Sequence, residues 1–367
     1  MQKNLKIMIW VCTVLIVLVG LVALYSASYQ NLRISGRIFF DQLGFALAGF
    51  LMMFLLSRID YRNFYDLAYI FYGLTIFLLV LVLVAGRHAL GATRWFTMFG
   101  ISFQPSELAK LTLILALARY FAGRRPTVSF ETDFHGGLWW DLAVPLAITV
   151  IPMFLIFKQP DLGTALLFMG IFVVMLFASG LEYRYIGGFL GICLLIFPFA
   201  WHILKPYQKD RLLVFLNPNI DPLGAGYTII QSKIAIGSGK LFGKGWLSGT
   251  QNQLNFLPER HTDFIFSVIG EEWGLLGTMF VLVCYFILIY CGILVAEQVK
   301  DKFGMQVAIG IVAIMILQVV INIGMVLGLC PVVGLTLPMI SFGRSSFVVC
   351  MIMMGLLLNL SQKRTIF

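Results

Sequence analysis

The run Pro258-Glu259-Arg260-His261-Thr262-Asp263 leads without a break into the apolar stretch Phe264-Ile265-Phe266. A carboxylate at such a boundary, beside a guanidinium and an imidazole, has the chemistry to take a proton from a hydroxyl nucleophile. Asp263, where the apolar run begins, is the candidate base. Helix capping by Thr262 or Asp263 is the competing reading. Three further segments put polar groups where an apolar surrounding makes them costly. In Gln104-Pro105-Ser106-Glu107-Leu108-Ala109-Lys110, the acid and the lysine are three residues apart on one helical face. They form either a self-neutralising ion pair or the lining of a polar cavity. In Lys158-Gln159-Pro160-Asp161-Leu162-Gly163-Thr164, Asp161 either caps the next helix or faces a ligand headgroup. Two prolines and two glycines interrupt Pro331–Ser346, a pattern that fits a re-entrant segment packed on a site. Glu271-Glu272, inside an apolar run, reads as a structural pair awaiting a basic partner.

The elements that must position these groups are membrane spans. Sixty per cent of the 367 residues are hydrophobic and 12% are charged, about half the charge of a soluble domain. A bilayer solvates that much apolar surface directly; a soluble core cannot. The net charge of +9 comes from basic residues scattered at the ends of apolar runs, as headgroup anchoring requires. No basic stripe is interleaved with aromatics, which excludes a nucleic-acid binder. The six cysteines show no CxxC spacing and the four histidines no HExxH pair, so no metal site is legible. Residues 7–24 follow Lys3 and Lys6 but are too long for a signal-peptide core, and read as a retained span.

The expected fold is therefore an all-α polytopic membrane protein of about ten transmembrane helices, one domain over residues 1–367. The spans fall near 7–25, 39–56, 66–85, 105–122, 142–157, 162–179, 185–203, 264–296, 305–328 and 346–360. A large outward loop, 204–263, separates the seventh and eighth. Lys3, Lys6, Arg58, Arg62, Arg119, Arg124, Arg125, Arg184, Lys300, Lys302, Lys363 and Arg364 share the side of the N-terminus. The short opposite loops carry only Arg33, Arg37, Arg87, Arg94, Lys158 and Arg344. The positive-inside bias makes both termini cytoplasmic. In the long loop, Tyr227–Ile236 sets isoleucines among Gln231, Ser232 and Lys233. That pattern suggests an amphipathic helix at the outer interface, with the following glycines as hinges of a gate for lipid entry.

The segments QPSELAK, QPDLGT, DPLGAGYTIIQSKIAIGSGKLFGKGW, GTQNQLNFLPERHTDFIFSVIGEEWGLLG and PVVGLTLPMISFG together resemble the SEDS family of shape, elongation, division and sporulation proteins. They run from residue 104 to 343, and PVVG is similar to the rod-shape branch. The resemblance implies a peptidoglycan glycosyltransferase of the bacterial cytoplasmic membrane. It polymerises lipid II on the outer face during elongation and releases undecaprenyl pyrophosphate. It implies a class B penicillin-binding protein and other elongation-complex membrane proteins as partners. It makes Asp263 essential and gathers Glu107, Lys110, Asp161, Arg211, Gln231, Lys233, Glu259, Arg260, His261, Thr262 and Ser341 around one outward cavity. One departure stands out: Arg344 replaces the glycine usual in SYGGSS. Either the turn needs no positive φ there, or Arg344 adds a cation near the pyrophosphate.

The chemistry is consistent with that function. A sugar hydroxyl attacks an anomeric carbon whose leaving group is a lipid pyrophosphate. An α-linked donor giving a β-linkage inverts by in-line attack and needs one carboxylate. The departing charge calls for Lys110, Arg211, Lys233, Arg260 or a divalent cation, Mg or Mn. The rivals are a lipid II flippase without catalytic activity, a ligase that moves a lipid-linked glycan to another acceptor and, remotely, an ion channel.

Overall fold

The computed structural model describes residues 2–29, 32–89, 92–98, 101–123, 137–180, 204–224 and 226–362, with isolated positions between 184 and 202. Its frame is helical. Three long apolar helices come first: α1 (Gln2–Ser28), α2 (Leu32–Arg58) and α3 (Arg62–Ala85). A small antiparallel sheet follows, with β1 (Arg87–Ala89), β2 (Ala92–Met98) and β3 (Ile101–Phe103) in that order. Next come α4 (Pro105–Gly123), α5 (Gly137–Lys158) and α6 (Leu162–Ala178). The long loop contributes α7 (Pro206–Leu216), α8 (Tyr227–Gly239) and the single turn α9 (Thr250–Gln253). The chain closes with α10 (Ile265–Gln298), α11 (Lys302–Leu327) and α12 (Arg344–Leu360).

Helices occupy every expected span except the seventh; most of residues 185–203, like Arg124 and Arg125, lie outside the described residues. Among the described residues, five helices are long and apolar enough to cross a bilayer. Large apolar side chains such as Phe77 on α3 and Phe286 on α10 are exposed, as a lipid-facing surface requires. The sheet at 87–103 was not legible as strands, because its residues alternate too briefly to stand out between two spans.

Hydrogen bonds sort the elements into two ends. At one end, Tyr61 on the approach to α3 donates to the Asp301 carboxylate, and Asn359 donates to the carbonyls of Leu56 (2.6 Å) and Ile59. At the other, Arg260 donates from Nε to the Ala27 carbonyl (2.6 Å), and the Gln104 amide donates to Ser345 Oγ (3.0 Å). The start of α1 and the end of α12 therefore share the first end, and the long-loop motifs share the second.

The eighth span is not one straight helix. At Gly274 the backbone turns to φ 66° and ψ −159°, a conformation open to glycine and strained for side-chain-bearing residues. The turn at 240–245 fills the break. The Lys244 and Gly245 amides donate to the Glu271 and Glu272 carbonyls, each at 3.0 Å. The Leu275 and Leu276 amides donate to the Lys240 and Leu241 carbonyls, at 2.9 and 3.2 Å. Backbone groups freed by the break are thus satisfied by protein, as membrane depth demands. Glu271 and Glu272 belong to the same joint. Glu271 pairs with Lys244 Nζ (2.8 Å) and accepts from the amides of Gln251 and Asn252; Glu272 accepts from Ser26 Oγ (2.5 Å). The pairing expected of these acids is present. Its basic partner comes from the long loop rather than from a neighbouring helix.

Helix α8 corrects the picture of a hinged interfacial gate. Its buried face is Ile229, Ser232, Ala235 and Gly239, while Ile234 is exposed. Ser232 Oγ donates to the Val326 carbonyl (2.6 Å) and lies 2.9 Å from Ser267 Oγ. A Cβ on Gly239 would overlap the Gly270 carbonyl. Small residues bring α8 into close contact with α10 and α11, so Gly239 serves packing rather than bending.

Candidate active site

Asp263 sits one residue before Phe264, which precedes α10, in a turn held by α11 and by the segment 331–343. Asn322, fully buried on α11, donates its amide to the Asp263 carbonyl (3.0 Å) and to the Leu335 carbonyl (2.7 Å). Ser341 Oγ donates to the Thr262 carbonyl (2.5 Å) and accepts from the Leu337 amide (2.9 Å). The Phe342 amide donates to the His261 carbonyl (2.9 Å). The irregular segment 331–343 is thus the re-entrant wall expected of it. Leu335, Leu337, Met339 and Ile340 are buried, and Tyr285 of α10 donates to the Pro338 carbonyl.

Gly334 faces the Asp263 carboxylate: a Cβ there would lie 3.5 Å from Oδ2. Around this carboxylate stand Glu259 from its own turn, Arg211 from α7, Asp161 from the start of α6 and Arg94 from β2. Arg211 donates from Nη1 to the Val332 carbonyl (3.1 Å) and is otherwise exposed. Burial is the largest influence on Asp263. Together with Glu259 and Asp161 it outweighs Arg211 and Arg94, and lifts the carboxyl from 3.8 to about 6. A carboxylate so placed is ionised at neutral pH yet more basic than a solvated one, the property a general base needs.

The other expected site residues separate into distinct roles. Asp161 caps α6, accepting from the Thr164 amide (3.3 Å), and its charge also acts on Asp263. Glu259 accepts from Thr262 Oγ1 (3.2 Å). His261 is half-buried with its ring 6.1 Å from Phe342, and burial lowers its pKa toward the neutral form. Gln231 is half-buried on α8.

Five of the expected residues are engaged within the chain. Ser341 spends its hydroxyl on two backbone groups, so it builds the wall instead of binding substrate. Arg260 is fastened to the end of α1 through Ala27, and burial lowers its pKa; it is an anchor, not a spare cation. Lys233 lays its ammonium end over Gly328, where α11 ends and a cation is favoured by the helix dipole. Lys110 is 2.6 Å from Glu107, with its side chain 1% exposed. The self-neutralising reading of that pair is the one the geometry supports; its charged neighbours do not include Asp263. Arg344 is the first residue of α12 with no positive φ, and its guanidinium is 2.6 Å from Asp41 of α2. It joins two helices and is not a pyrophosphate ligand.

Two residues escaped the sequence reading. Arg94 was only one cation in a short loop. Asn322 was a single amide in an apolar span, the signal that should have drawn attention. Replacing Asn322 by Leu orphans two buried carbonyls at about 1–3 kcal/mol each. We expect a clear fall in the thermal midpoint and loss of polymerisation; unchanged values for both would mean that the clamp does not hold the turn.

Among the described residues no three His, Cys, Asp or Glu side chains gather as a metal set.

Residues 6–366 match the FtsW/RodA/SpoVE cell cycle protein family. The chain belongs to this family. Peptidoglycan glycosyltransferase MrdB of Escherichia coli K12 is 40% identical over 360 residues, covering 96% of this chain and 93% of the relative. The fold is similar to a chain from a peptidoglycan synthase complex that coordinates polymerisation and crosslinking (TM-score 0.80, 34% identity, 96% of each chain). It is also similar to the rod shape determining protein RodA of Thermus thermophilus (TM-score 0.70, 31% identity, 96% of this chain and 95% of that one).

Proposed function

We propose that the chain is the peptidoglycan glycosyltransferase of cell elongation, an inverting enzyme that joins lipid II units into glycan strands. Asp263 takes the proton of the attacking sugar hydroxyl as its oxygen bonds to the anomeric carbon. The bond from that carbon to the pyrophosphate oxygen breaks, and its electron pair leaves on undecaprenyl pyrophosphate. Arg211, with donors to spare beside Asp263, meets the developing charge. The observation that carries the reading is the Asp263 carboxylate, facing Gly334 and set among Arg211, Arg94, Glu259 and Asp161. By the positive-inside bias this end faces outward and both termini are cytoplasmic. A class B penicillin-binding protein, with other elongation-complex membrane proteins, is the proposed partner, since polymer made here must be crosslinked.

Purified protein given labelled lipid II should make glycan polymer. Transbilayer movement of lipid II without polymer would replace the enzyme by a flippase. The pH profile has a definite sign. The base works only when deprotonated, so polymerisation should fall as pH drops through about 6. Glu259→Gln removes a charge that raises this pKa, and should move the acid limb to lower pH. A limb that stays in place would exclude Asp263 as the titrating group. Any divalent cation is proposed to arrive on the pyrophosphate itself. Chelation should then lower polymerisation while leaving the thermal midpoint of the substrate-free protein unchanged; a lowered midpoint would indicate a resident ion.

A further inference from the structure

The two arginines beside Asp263 are used differently. Arg211 holds one backbone carbonyl with Nη1 and is exposed. Arg94 is committed to the chain. Its Nε donates to the Gln159 carbonyl (3.2 Å), its Nη2 donates to the Pro160 carbonyl, and its Nη1 lies 3.9 Å from Asp161 Oδ2. Its side chain is 28% exposed, against 5% for Asp161. This fork grips the turn between α5 and α6. Tyr207 of α7 donates to the same Pro160 carbonyl from the other side (3.2 Å). The turn in turn supports the cavity, because the backbone of Gly163 lies directly against the Val333 carbonyl. Val333 adjoins Gly334, which faces Asp263.

We propose that Arg94 is a positioning residue for glycosyl transfer: it locks the Gln159–Asp161 turn and, through Gly163 and Val333, sets the wall against which Asp263 works. This rests on the polymerase reading above. The small sheet then has a purpose, for β2 is the element that carries Arg94 over the end of α5. Leaving-group binding falls to Arg211, whose remaining donors are uncommitted to backbone. Only a planar guanidinium can bridge two successive carbonyls and still face a carboxylate; an ammonium supplies charge without the fork. The charged groups facing Asp263 are Glu259 of its own turn, Arg211 of α7, Asp161 of α6 and Arg94 of β2. Removing Arg94 leaves Asp161 less neutralised and takes away one positive charge, and both changes make Asp263 harder to ionise.

The test compares Arg94→Gln, Arg94→Lys and Arg211→Gln in lipid II polymerisation across pH, in full-length protein reconstituted into nanodiscs. Arg94→Gln should lower kcat roughly tenfold or more, as expected for a displaced reacting geometry, with KM near that of the parent and the acid limb moved to higher pH. Arg94→Lys should keep the acid limb in place but recover only part of kcat. Arg211→Gln should lower kcat and raise KM together. A raised KM with unchanged kcat and limb in Arg94→Gln would make Arg94 a substrate contact and overturn the proposal. So would full activity in that variant. If Arg94→Gln does not fold, Arg94→Lys decides: parental kcat there would show that charge alone is needed and the fork is not. Failure of the parent protein to polymerise lipid II would instead remove the underlying function.

Discussion

Asp263→Asn is expected to abolish polymerisation of lipid II, with a rate loss of about 10²–10⁴-fold, while the protein stays folded. The substitution keeps the size of the side chain and removes its basicity. The turn is held through backbone groups: the Asp263 carbonyl by Asn322, the Thr262 carbonyl by Ser341 and the His261 carbonyl by the Phe342 amide. None of these bonds uses the carboxylate. Neutralising a carboxyl whose ionisation burial already opposes should leave stability equal or slightly higher. A polymerisation assay beside a thermal unfolding measurement separates the two effects. Near-normal polymer from a stable Asp263→Asn protein would remove the base from the mechanism. Rate and midpoint lost together would mean that the carboxylate is structural.

Much of this site was readable because membranes make polar residues conspicuous. The run from Glu259 to Asp263 stands against an apolar background, and so do the breaks at Gln159–Asp161 and Pro331–Ser341. Each contributes a residue close to Asp263: Glu259, Asp161 and Gly334. What could not be read was which polar group touches which. Arg260, Ser341 and Arg344 look in sequence like ligands for an anion. In space they are spent on Ala27, on the Thr262 and Leu337 backbone, and on Asp41. Those partners lie tens to hundreds of positions away for all but Leu337, and local spacing carries no trace of them. The break at Gly274 was hidden for a related reason. Its flanking residues are good span formers, and only the docked 240–245 turn makes a non-helical glycine tolerable there. The helix at 227–239 was found by its pattern, yet its packed face was misjudged. Ser232, Ala235 and Gly239 bury because they are small enough for close approach, not because they are apolar.

Lys110→Ala is expected to cost more stability than the double change Glu107→Gln with Lys110→Met. Lys110 and Glu107 are 2.6 Å apart near the start of α4, and both side chains are under a tenth exposed. Water cannot solvate either charge if its partner is removed. Breaking such a pair by deleting one member typically costs about 3–5 kcal/mol, whereas replacing both by neutral groups of similar volume is often near neutral. Ser106, next to Glu107, has a buried hydroxyl without a partner and offers the stranded carboxylate little help. The single variant should therefore show a markedly lowered thermal midpoint or poor accumulation in the membrane, and the double variant should recover most of it. Polymerisation separates structure from chemistry at this position. If the pair only neutralises itself, the double variant regains activity along with stability. If it regains stability and remains inactive, the pair also contacts the substrate, and the cavity extends from Asp263 to the start of α4. Additive effects of the two single changes in a double-mutant cycle would show that the two charges do not support each other.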